Sequence, residues 1–182
     1  MRLVILDRDG VINEDSDAYI KSPDEWRPIA GSLDAIARLN HDGYRVVVAT
    51  NQSGVGRKMY DMDMLNRINL KMLDAVQHVG GSIDAVFVCP HTPDDACRCR
   101  KPQAGLFEEI AERLKVNLSG VYAVGDSPRD VVAARCVHAR PVLVRTGKGE
   151  RVAPDSEELR GVPVFADLAA FAEALLSGKL PA

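Results

Sequence analysis

Five short apolar runs set the strongest limit on how this chain can fold. They are RLVIL (2–6), RVVVA (45–49), DAVFV (84–88), VYAV (121–124) and PVLV (141–144). Each run is close to continuously apolar and does not alternate with polar residues, a pattern typical of strands that are covered on both faces, as in a parallel sheet. The sequence therefore predicts a buried parallel sheet of about five strands.

Helical patterns lie between these runs, with apolar residues recurring at steps of three and four. The segments concerned are 32–42, 61–79, 105–115, 128–136 and 167–177. Strands that alternate with helices predict a doubly wound, Rossmann-like α/β fold with right-handed crossovers. Nothing in the composition divides the 182 residues, so we expect one domain over residues 1–182. The polar stretch 147–163 is interpreted as a surface loop.

Polar side chains gather directly behind the first, second and fourth runs. They are Asp7 and Asp9, then Thr50 and Asn51, then Asp126 and Asp130. Ligands of doubly wound folds bind outside the carboxyl ends of the strands, so we expect these side chains to converge on one edge of the sheet. One polar strand end is ordinary. Acids behind two strands, with hydroxyl and amide groups behind a third, favour a functional site.

The chemistry of these groups suits the handling of a phosphate. Carboxylates that lie close together raise each other's pKa unless a cation compensates, and Mg²⁺ is the usual partner of a few carboxylates and a phosphate. Lys101, in CRKPQAG before a predicted helix, supplies a fixed positive charge. Thr50 and the backbone N–H of Asn51 offer donors for phosphate oxygens. Together these groups favour phosphoryl transfer, which depends on positioning and charge neutralisation.

Four segments together resemble one family. DRDGVIN resembles the first motif of the haloacid dehalogenase (HAD) superfamily of phosphatases, VVVATNQSG its second, Lys101 its third, and VGDSPRD its fourth. One D-x-D-G segment is a weak signal. All four segments in order, each at the expected strand end or helix start and together covering nearly the whole chain, make the resemblance specific.

The resemblance implies a two-step phosphoryl transfer. Asp7 would be the nucleophile that forms an aspartyl-phosphate. Asp9 would protonate the leaving alcohol and then activate a water molecule. Mg²⁺ would be held by the Asp7 carboxylate, the Asp9 backbone carbonyl and Asp126.

The remaining matched residues would grip the phosphoryl group or support the metal. Lys101, Thr50 and the Asn51 amide would hold the transferring group. Asp130 would lie behind the metal and orient its waters or Lys101, although an acid in the first turn of a helix is favoured there in any case. Ser127 follows the fourth-motif aspartate where a lysine often stands in the family, and here the chain departs from the pattern.

A cysteine–histidine loop within residues 89–99 predicts a second metal. Its candidate ligands are Cys89, His91, Cys97 and Cys99, spaced C-x-H-x5-C-x-C. Three thiolates and one imidazole form a tetrahedral zinc set, and four protein ligands leave no open position, so we expect a structural Zn²⁺. The alternative is three chance cysteines and one surface histidine. The loop resembles the zinc loop of the histidinol-phosphatase-like branch of the HAD superfamily.

The spacing of the motifs leaves the site open. Between the first two there is room for a hairpin-like flap (about residues 13–30) and one helix, but not for a large cap domain. Such a site admits a primary phosphate on an extended sugar. We expect Arg100, next to Lys101, to pair with the sugar or with a second phosphate, since a guanidinium fits phosphate bidentately. Arg98 is interpreted as a solvated surface residue.

Composition narrows the partners. A net charge of −3 without a basic stripe argues against nucleic acid, and no apolar stretch approaches the about 18 residues that span a membrane. The start MRLVILDRDG is too short and too soon charged for a signal peptide, so we expect a cytoplasmic protein. An uncapped site is compatible with a monomer. Cys136, in a predicted helix, is interpreted as a small core residue.

Three functions remain open on the sequence. The first is a Mg²⁺-dependent phosphatase of a sugar bisphosphate, which an arginine at the entrance favours. The second is a histidinol-phosphate phosphatase, whose site would have to suit a cationic amine and an imidazole. The third is a non-catalytic, zinc-stabilised binding module, which the presence of both Asp7 and Asp9 disfavours.

Overall fold

The computed structural model describes residues 2–153 and 155–180, and one six-stranded parallel sheet forms its centre, in the order β3-β2-β1-β4-β5-β6. The strands are β1 (Arg2–Leu6), β2 (Tyr44–Asn51), β3 (Ala85–Cys89), β4 (Tyr122–Gly125), β5 (Arg140–Val144) and β6 (Val164–Phe165). The first five correspond to the predicted apolar runs. The expected number of about five was one short, because the two-residue edge strand β6 is too brief to leave a pattern in the sequence.

The helices fall where the sequence predicts them, to within two residues at either end. They are α1 (Ser32–His41), α2 (Ser53–Gly56), α3 (Met62–His78), α4 (Gly105–Leu114), α5 (Pro128–Cys136) and α6 (Leu168–Leu176). Only the single turn α2 was not predicted. Short 3-10 turns lie at Pro23–Glu25, Pro93–Asp95, Gly147–Arg151 and Glu157–Leu159.

Both faces of the sheet are covered, which explains the continuously apolar strands. In β1, Val4 and Leu6 face the layer formed by α1, α3 and α6, while Leu3 and Ile5 face the layer formed by α4 and α5. All four side chains are buried. Two helical layers around one parallel sheet confirm the predicted doubly wound α/β fold.

The flap between β1 and α1 is hairpin-like only at its base. Asn13 and Pro28 form an antiparallel bridge, and the Glu14 N–H donates to the Arg27 carbonyl at 2.9 Å. Farther out the segment turns through Pro23–Glu25 without further strand pairing. No second sheet or helical cap covers this edge among the described residues, so the carboxyl ends of the central strands stay open.

Two local predictions change. Cys136, the last residue of α5, is exposed, so its interpretation as a core residue was wrong: it lies on the solvent side of a helix that buries Val131 and Ala134. The polar loop after β5 has its own small core, because Leu159 and Val162 pack against Val131 and Leu143. No helix in the described ranges is long and apolar enough to cross a bilayer.

Candidate active site

A cavity of about 200 Å³ opens at the carboxyl ends of the strands. Eight of the residues selected from the sequence line it: Asp7, Asp9, Thr50, Asn51, Arg100, Lys101, Asp126 and Asp130. They come from four separate segments of the chain. The expected convergence on one edge of the sheet is therefore observed.

The turn after β1 places Asp7 and brings the backbone close to Asp126. The Asp7 N–H donates to the Val124 carbonyl of β4 at 2.9 Å. Gly10 follows with φ of +82°, and a Cβ there would lie 2.0 Å from an Asp126 carboxylate oxygen. Only glycine fits at this position, both for its conformation and for the space that the carboxylate needs.

Asp7, Asp126 and Asp130 form a compact carboxylate cluster. One carboxylate oxygen from each lies within 4.8 Å of the others. Burial, only partly offset by Lys101, raises the pKa of Asp7 to about 7. Burial and the neighbouring carboxylates Asp130 and Asp7 raise the pKa of Asp126 to about 8. Hard oxygen donors whose ionised forms repel each other fit a divalent cation such as Mg²⁺.

Lys101 is the internal cation of this cluster. Its buried Nζ lies 3.0 Å from Asp7 Oδ2 and 2.5 Å from Asp130 Oδ1, and it donates to the Ala49 carbonyl at 2.7 Å. Burial opposes the charged form of Lys101, yet Asp130 and Asp7 outweigh it and raise its pKa. Burial likewise opposes ionisation of Asp130, but Lys101 and the Ser127 hydroxyl hold its pKa below the usual value. Asp130 therefore contacts Lys101 directly, and it also caps α5, since its Oδ2 accepts from the Ser127 N–H at 3.1 Å.

Asn51 contributes in a way that the sequence did not reveal. Its side-chain Oδ1 accepts from the Lys101 N–H at 3.0 Å, and its Nδ2 donates to the Lys101 carbonyl at 2.9 Å. This pair of bonds ties the loop before α4 to the end of β2. Thr50 lies one residue earlier, almost fully buried, and its Oγ1 accepts from Gln52 Nε2 at 2.9 Å.

Asp9 is surrounded by hydrogen-bond donors. Arg8 donates through Nε to Oδ1 at 3.0 Å and through Nη2 to Oδ2 at 3.1 Å. Asn13 Nδ2 donates to Oδ1 at 2.9 Å, and Gln52 Nε2 donates to Oδ2 at 2.7 Å. Burial favours the neutral acid, but Arg8 and the amide donors outweigh it and lower the pKa of Asp9.

The four predicted zinc ligands meet at the rim of the site. Sulfur–sulfur distances among the cysteines are 3.1 Å (Cys99–Cys89), 3.5 Å (Cys99–Cys97) and 3.6 Å (Cys89–Cys97). His91 Nδ1 lies 3.2 Å from Cys99 Sγ and 3.7 Å from Cys89 Sγ. Tetrahedral Zn²⁺ with bonds of about 2.3 Å would separate sulfurs by roughly 3.8 Å, so the donor atoms need only a small expansion to hold the ion.

The thiols cannot easily ionise together without a cation. Burial and the Cys99 thiol raise the pKa of Cys89, and burial raises that of Cys99. For Cys97, burial is outweighed by the backbone N–H of Arg100 and by its neighbours, which lower the pKa to about 7. Since thiolates are the metal-binding form, the cluster fits a divalent ion that compensates their charge.

Two arginines lie between the zinc loop and the cavity. Arg100 donates to the His91 carbonyl at 3.2 Å and lines both the cavity and a neighbouring groove of about 470 Å³. Arg129, which was not selected from the sequence, lines both as well. Burial and the positive charge of Arg129 lower the pKa of Arg100. Arg98 is solvated and pairs with Glu108 on the surface, which agrees with its interpretation.

Lys148 is a further cavity-lining residue that was not selected from the sequence. The Lys148 N–H donates to Asp126 Oδ2 at 2.8 Å, and its side chain forms an ion pair with Asp15 of the flap. This lysine adds a cation to the cavity wall, where Ser127 offers none. Its only signal in the sequence is the segment VLVRTGKG, since the contact joins residues far apart in the chain.

The fold and the cavity define the class: a doubly wound hydrolase with an Asp-x-Asp turn, a buried lysine and an acidic fourth strand end, as in HAD-type enzymes. The HAD-hydrolase-like family model matches residues 98–171. A D-glycero-β-D-manno-heptose-1,7-bisphosphate 7-phosphatase of Bordetella bronchiseptica is 53% identical over 176 residues, covering 97% of this chain and 98% of that protein. A Pseudomonas aeruginosa protein of the same name is 52% identical over 96% of this chain and 97% of its own length.

Solved structures agree. The B. bronchiseptica D,D-heptose 1,7-bisphosphate phosphatase complexed with magnesium and phosphate superimposes with a TM-score of 0.95 at 52% identity, over 98% of this chain and 99% of that chain. The Burkholderia thailandensis enzyme of the same name gives a TM-score of 0.77 at 47% identity, over 97% of this chain and 99% of that chain. This chain belongs to the D-glycero-D-manno-heptose-1,7-bisphosphate 7-phosphatase family of HAD-type hydrolases.

Proposed function

We propose that this chain is a Mg²⁺-dependent phosphatase that removes the 7-phosphate of D-glycero-β-D-manno-heptose 1,7-bisphosphate. The relatives with 50–53% identity carry this name, including the β anomer, for which the sequence motifs held no signal. The observation that carries the proposal is Asp7 beside Lys101 and Asp126 on the floor of an open cavity with Arg100 on its wall. The reaction would serve the synthesis of nucleotide-activated heptose for lipopolysaccharide.

In the first step, Asp7 attacks the phosphorus atom of the 7-phosphate. The bond to the sugar oxygen breaks, and that oxygen takes its electron pair together with the proton of Asp9. The incoming phosphate carries negative charge beside Asp9, which favours the protonated carboxyl that this step needs. The products are the free sugar alcohol and an aspartyl-phosphate.

In the second step, water attacks the same phosphorus atom. Asp9, now a carboxylate, takes a proton from the water, and the bond between phosphorus and the Asp7 oxygen breaks. Inorganic phosphate leaves and both carboxyl groups return to their starting forms. One residue acts first as acid and then as base because the two steps are nearly mirror images at phosphorus.

The phosphoryl group is held by donors on three sides. Lys101 Nζ lies 3.0 Å from Asp7 Oδ2 and is close enough to the nucleophile to pair with an oxygen of the phosphoryl group. Thr50 and the backbone N–H of Asn51 offer two further donors at the end of β2. Preorganised donors of this kind stabilise the charge that develops on the transferring group.

Two metals complete the proposal. Mg²⁺ held by Asp7, Asp126 and the Asp9 backbone carbonyl would neutralise charge on the phosphate and on the carboxylates. Zn²⁺ held by Cys89, His91 and the remaining two cysteines of the loop would fix the segment that carries Arg100. Asp130 acts on Lys101 through their ion pair.

The second phosphate of the substrate has a matching surface. Arg100 and Arg129 line the passage from the cavity to the neighbouring groove. Two guanidinium groups whose charges repel each other are well suited to an anion placed between them. An extended sugar with its 7-phosphate on Asp7 would direct its other phosphate toward this passage.

Further parts of the proposal concern the setting of the enzyme. We propose a single phosphatase domain that acts as a cytoplasmic monomer on a small sugar phosphate, without nucleic acid or membrane partners. The net charge of −3 and the uncapped cavity support this. Sedimentation of the purified chain would test the monomer.

The deciding experiment compares substrates in the presence of Mg²⁺. Phosphate release is measured as kcat/KM on the β anomer of heptose 1,7-bisphosphate, on the α anomer and on histidinol phosphate. We expect kcat/KM to be at least about 100-fold higher for the β bisphosphate than for histidinol phosphate. Only the bisphosphate has a second phosphate that can pair with Arg100 and Arg129. Preference for histidinol phosphate would overturn the substrate assignment, and no turnover of any of them would overturn the function.

A further inference from the structure

Arg8 is an unusual residue for its position. It lies between the two aspartates of the site, yet its side chain is completely buried and points away from the cavity. A buried guanidinium is costly unless its donors are paired. The roles proposed above for Asp7 and Asp9 leave this residue without a task.

The Arg8 side chain forms a fork on Asp9. Its Nε and Nη2 each donate to a different carboxylate oxygen, at 3.0 and 3.1 Å. A two-point contact between planar groups fixes the angle of the carboxylate as well as its distance. Asn13 and Gln52 each contact only one of the two oxygens, so the fork is the single contact that fixes both.

The fork is itself held from behind. Arg8 Nη1 donates to Asn69 Oδ1 at 3.0 Å. Asn69 is a buried polar residue in the middle of α3, on the face where Leu65, Ile68 and Met72 enter the core. A buried amide among apolar neighbours needs a partner, and Arg8 supplies it. The contacts therefore run from α3 through Arg8 to the carboxylate at the cavity.

We propose that Arg8, supported by Asn69, is a positioning residue that aims the Asp9 carboxyl at the leaving oxygen. This inference rests on the proposed role of Asp9 in proton transfer. A proton donor must lie within hydrogen-bond reach of the atom that it protonates, and a misplacement of about 1 Å costs about 100-fold in rate. Arg8 touches neither the substrate nor the reacting atoms.

The role has a kinetic signature. The value of kcat/KM covers the steps up to departure of the leaving group. A leaving group that needs no proton, such as an acidic phenol, should be insensitive to the aim of Asp9, whereas an alkoxide depends on it fully. A loss of packing around Arg8 would instead lower kcat/KM for all substrates by the same factor.

The experiment measures kcat/KM with Mg²⁺ on aryl phosphates of graded phenol acidity and on one alkyl phosphate. Arg8→Lys keeps the charge but loses the fork. We expect kcat/KM of this variant to fall about 100-fold for the alkyl phosphate and less than about threefold for the aryl phosphate with the most acidic phenol. Asn69→Ala keeps the two hydrogen bonds from Arg8 to Asp9 but removes the support behind Arg8. We expect its kcat/KM to fall about tenfold for the alkyl phosphate and to stay unchanged for the acidic phenols. Arg38→Ala, which removes a surface pair with Glu173, is the matched control and should change nothing.

Asp9→Asn separates the two levels of the hypothesis. If kcat/KM of Asp9→Asn depends no more steeply on leaving-group acidity than that of the parent enzyme, the proposed role of Asp9 fails. The inference about Arg8 alone is overturned if kcat/KM depends more steeply on leaving-group acidity in Asp9→Asn but keeps the dependence of the parent enzyme in Arg8→Lys and Asn69→Ala. Should Arg8→Lys not fold, as judged by circular dichroism, Asn69→Ala decides alone: a steeper dependence supports the inference and an unchanged one overturns it.

Discussion

The carboxylate cluster and the cysteine–histidine cluster both gather acidic groups behind strands of the same sheet, yet only the carboxylates have a buried cation among them. Lys101 lies between Asp7 and Asp130 inside the core. Cys89 is buried while Cys97 and Cys99 are partly exposed, and the pKa of Cys97 is lowered by a backbone N–H and by its neighbours, not by a buried cation. The carboxylate cluster therefore has an internal countercharge, whereas under our proposal the thiolates of the loop would be compensated by a bound metal ion.

This difference suggests a division of labour between the two regions. We propose that the carboxylate cluster performs the chemistry and that the cysteine–histidine loop, with zinc bound, would select the substrate through Arg100. The two are adjacent in sequence, since Cys99, Arg100 and Lys101 follow one another. Asn51 keeps them separable, because its side chain holds the Lys101 backbone independently of the thiols.

The largest effect should come from the nucleophile. Asp7→Asn removes the attacking oxygen and should lower kcat by at least about 10⁴-fold on every substrate, measured as Mg²⁺-dependent phosphate release. The thermal midpoint should not fall, because the substitution also removes a buried charge. Residual activity within about tenfold of the parent enzyme would mean that Asp7 is not the nucleophile.

Loss of the internal cation should harm both catalysis and stability. Lys101→Met leaves Asp7 and Asp130 buried without their partner, so we expect a loss of about 3–5 kcal/mol in the free energy of unfolding. Catalysis should fall by about 100- to 1,000-fold, as for the loss of one preorganised donor. Denaturant unfolding and steady-state kinetics measure the two effects. Lys21→Met, at an exposed ion pair with Glu25, is the control and should alter neither.

The zinc loop should affect binding more than chemistry. Arg100→Ala should raise KM for heptose 1,7-bisphosphate by about 10- to 30-fold through the loss of a charge-assisted contact. For a simple aryl phosphate, KM should change by less than about twofold. Arg98→Ala is the neighbouring control and should leave both values unchanged. Equal effects of Arg100→Ala on the two substrates would show that Arg100 acts on the chemistry and would remove the contrast between the regions.

Much of this arrangement could be predicted from the sequence, for a physical reason. Strands buried on both faces leave continuous apolar runs, and parallel strands bring the residues behind them to one edge. The missing features depend on contacts between distant segments. Asn51 meets Lys101 across 50 positions, and Lys148 reaches Asp126 from the loop after β5. Neither contact leaves a local pattern.

The smallest effect concerns pH and the metal-free carboxylates. The pKa values of Asp7 and Asp126 are raised to about 7 and about 8, above the usual value of 3.8. A carboxyl with a raised pKa in the folded state contributes stability at low pH that is lost as the pH rises through that value. The Tm of the metal-free protein should therefore fall by a few °C between pH 6 and pH 8. Saturating Mg²⁺ should raise Tm more at pH 8 than at pH 6. A Tm that rises over this range would contradict the raised pKa values.

The division of labour is tested most directly by removing zinc from the Mg²⁺-saturated enzyme. The measurement is the ratio of kcat/KM for heptose 1,7-bisphosphate to kcat/KM for an aryl phosphate, in the parent enzyme and in Cys97→Ser, with metal content determined for both. If the zinc loop selects the substrate and the carboxylates do the chemistry, loss of zinc lowers the ratio at least about tenfold. The kcat/KM for the aryl phosphate then stays within about twofold of the parent enzyme. An equal loss on both substrates, or no zinc in the parent enzyme, would contradict it.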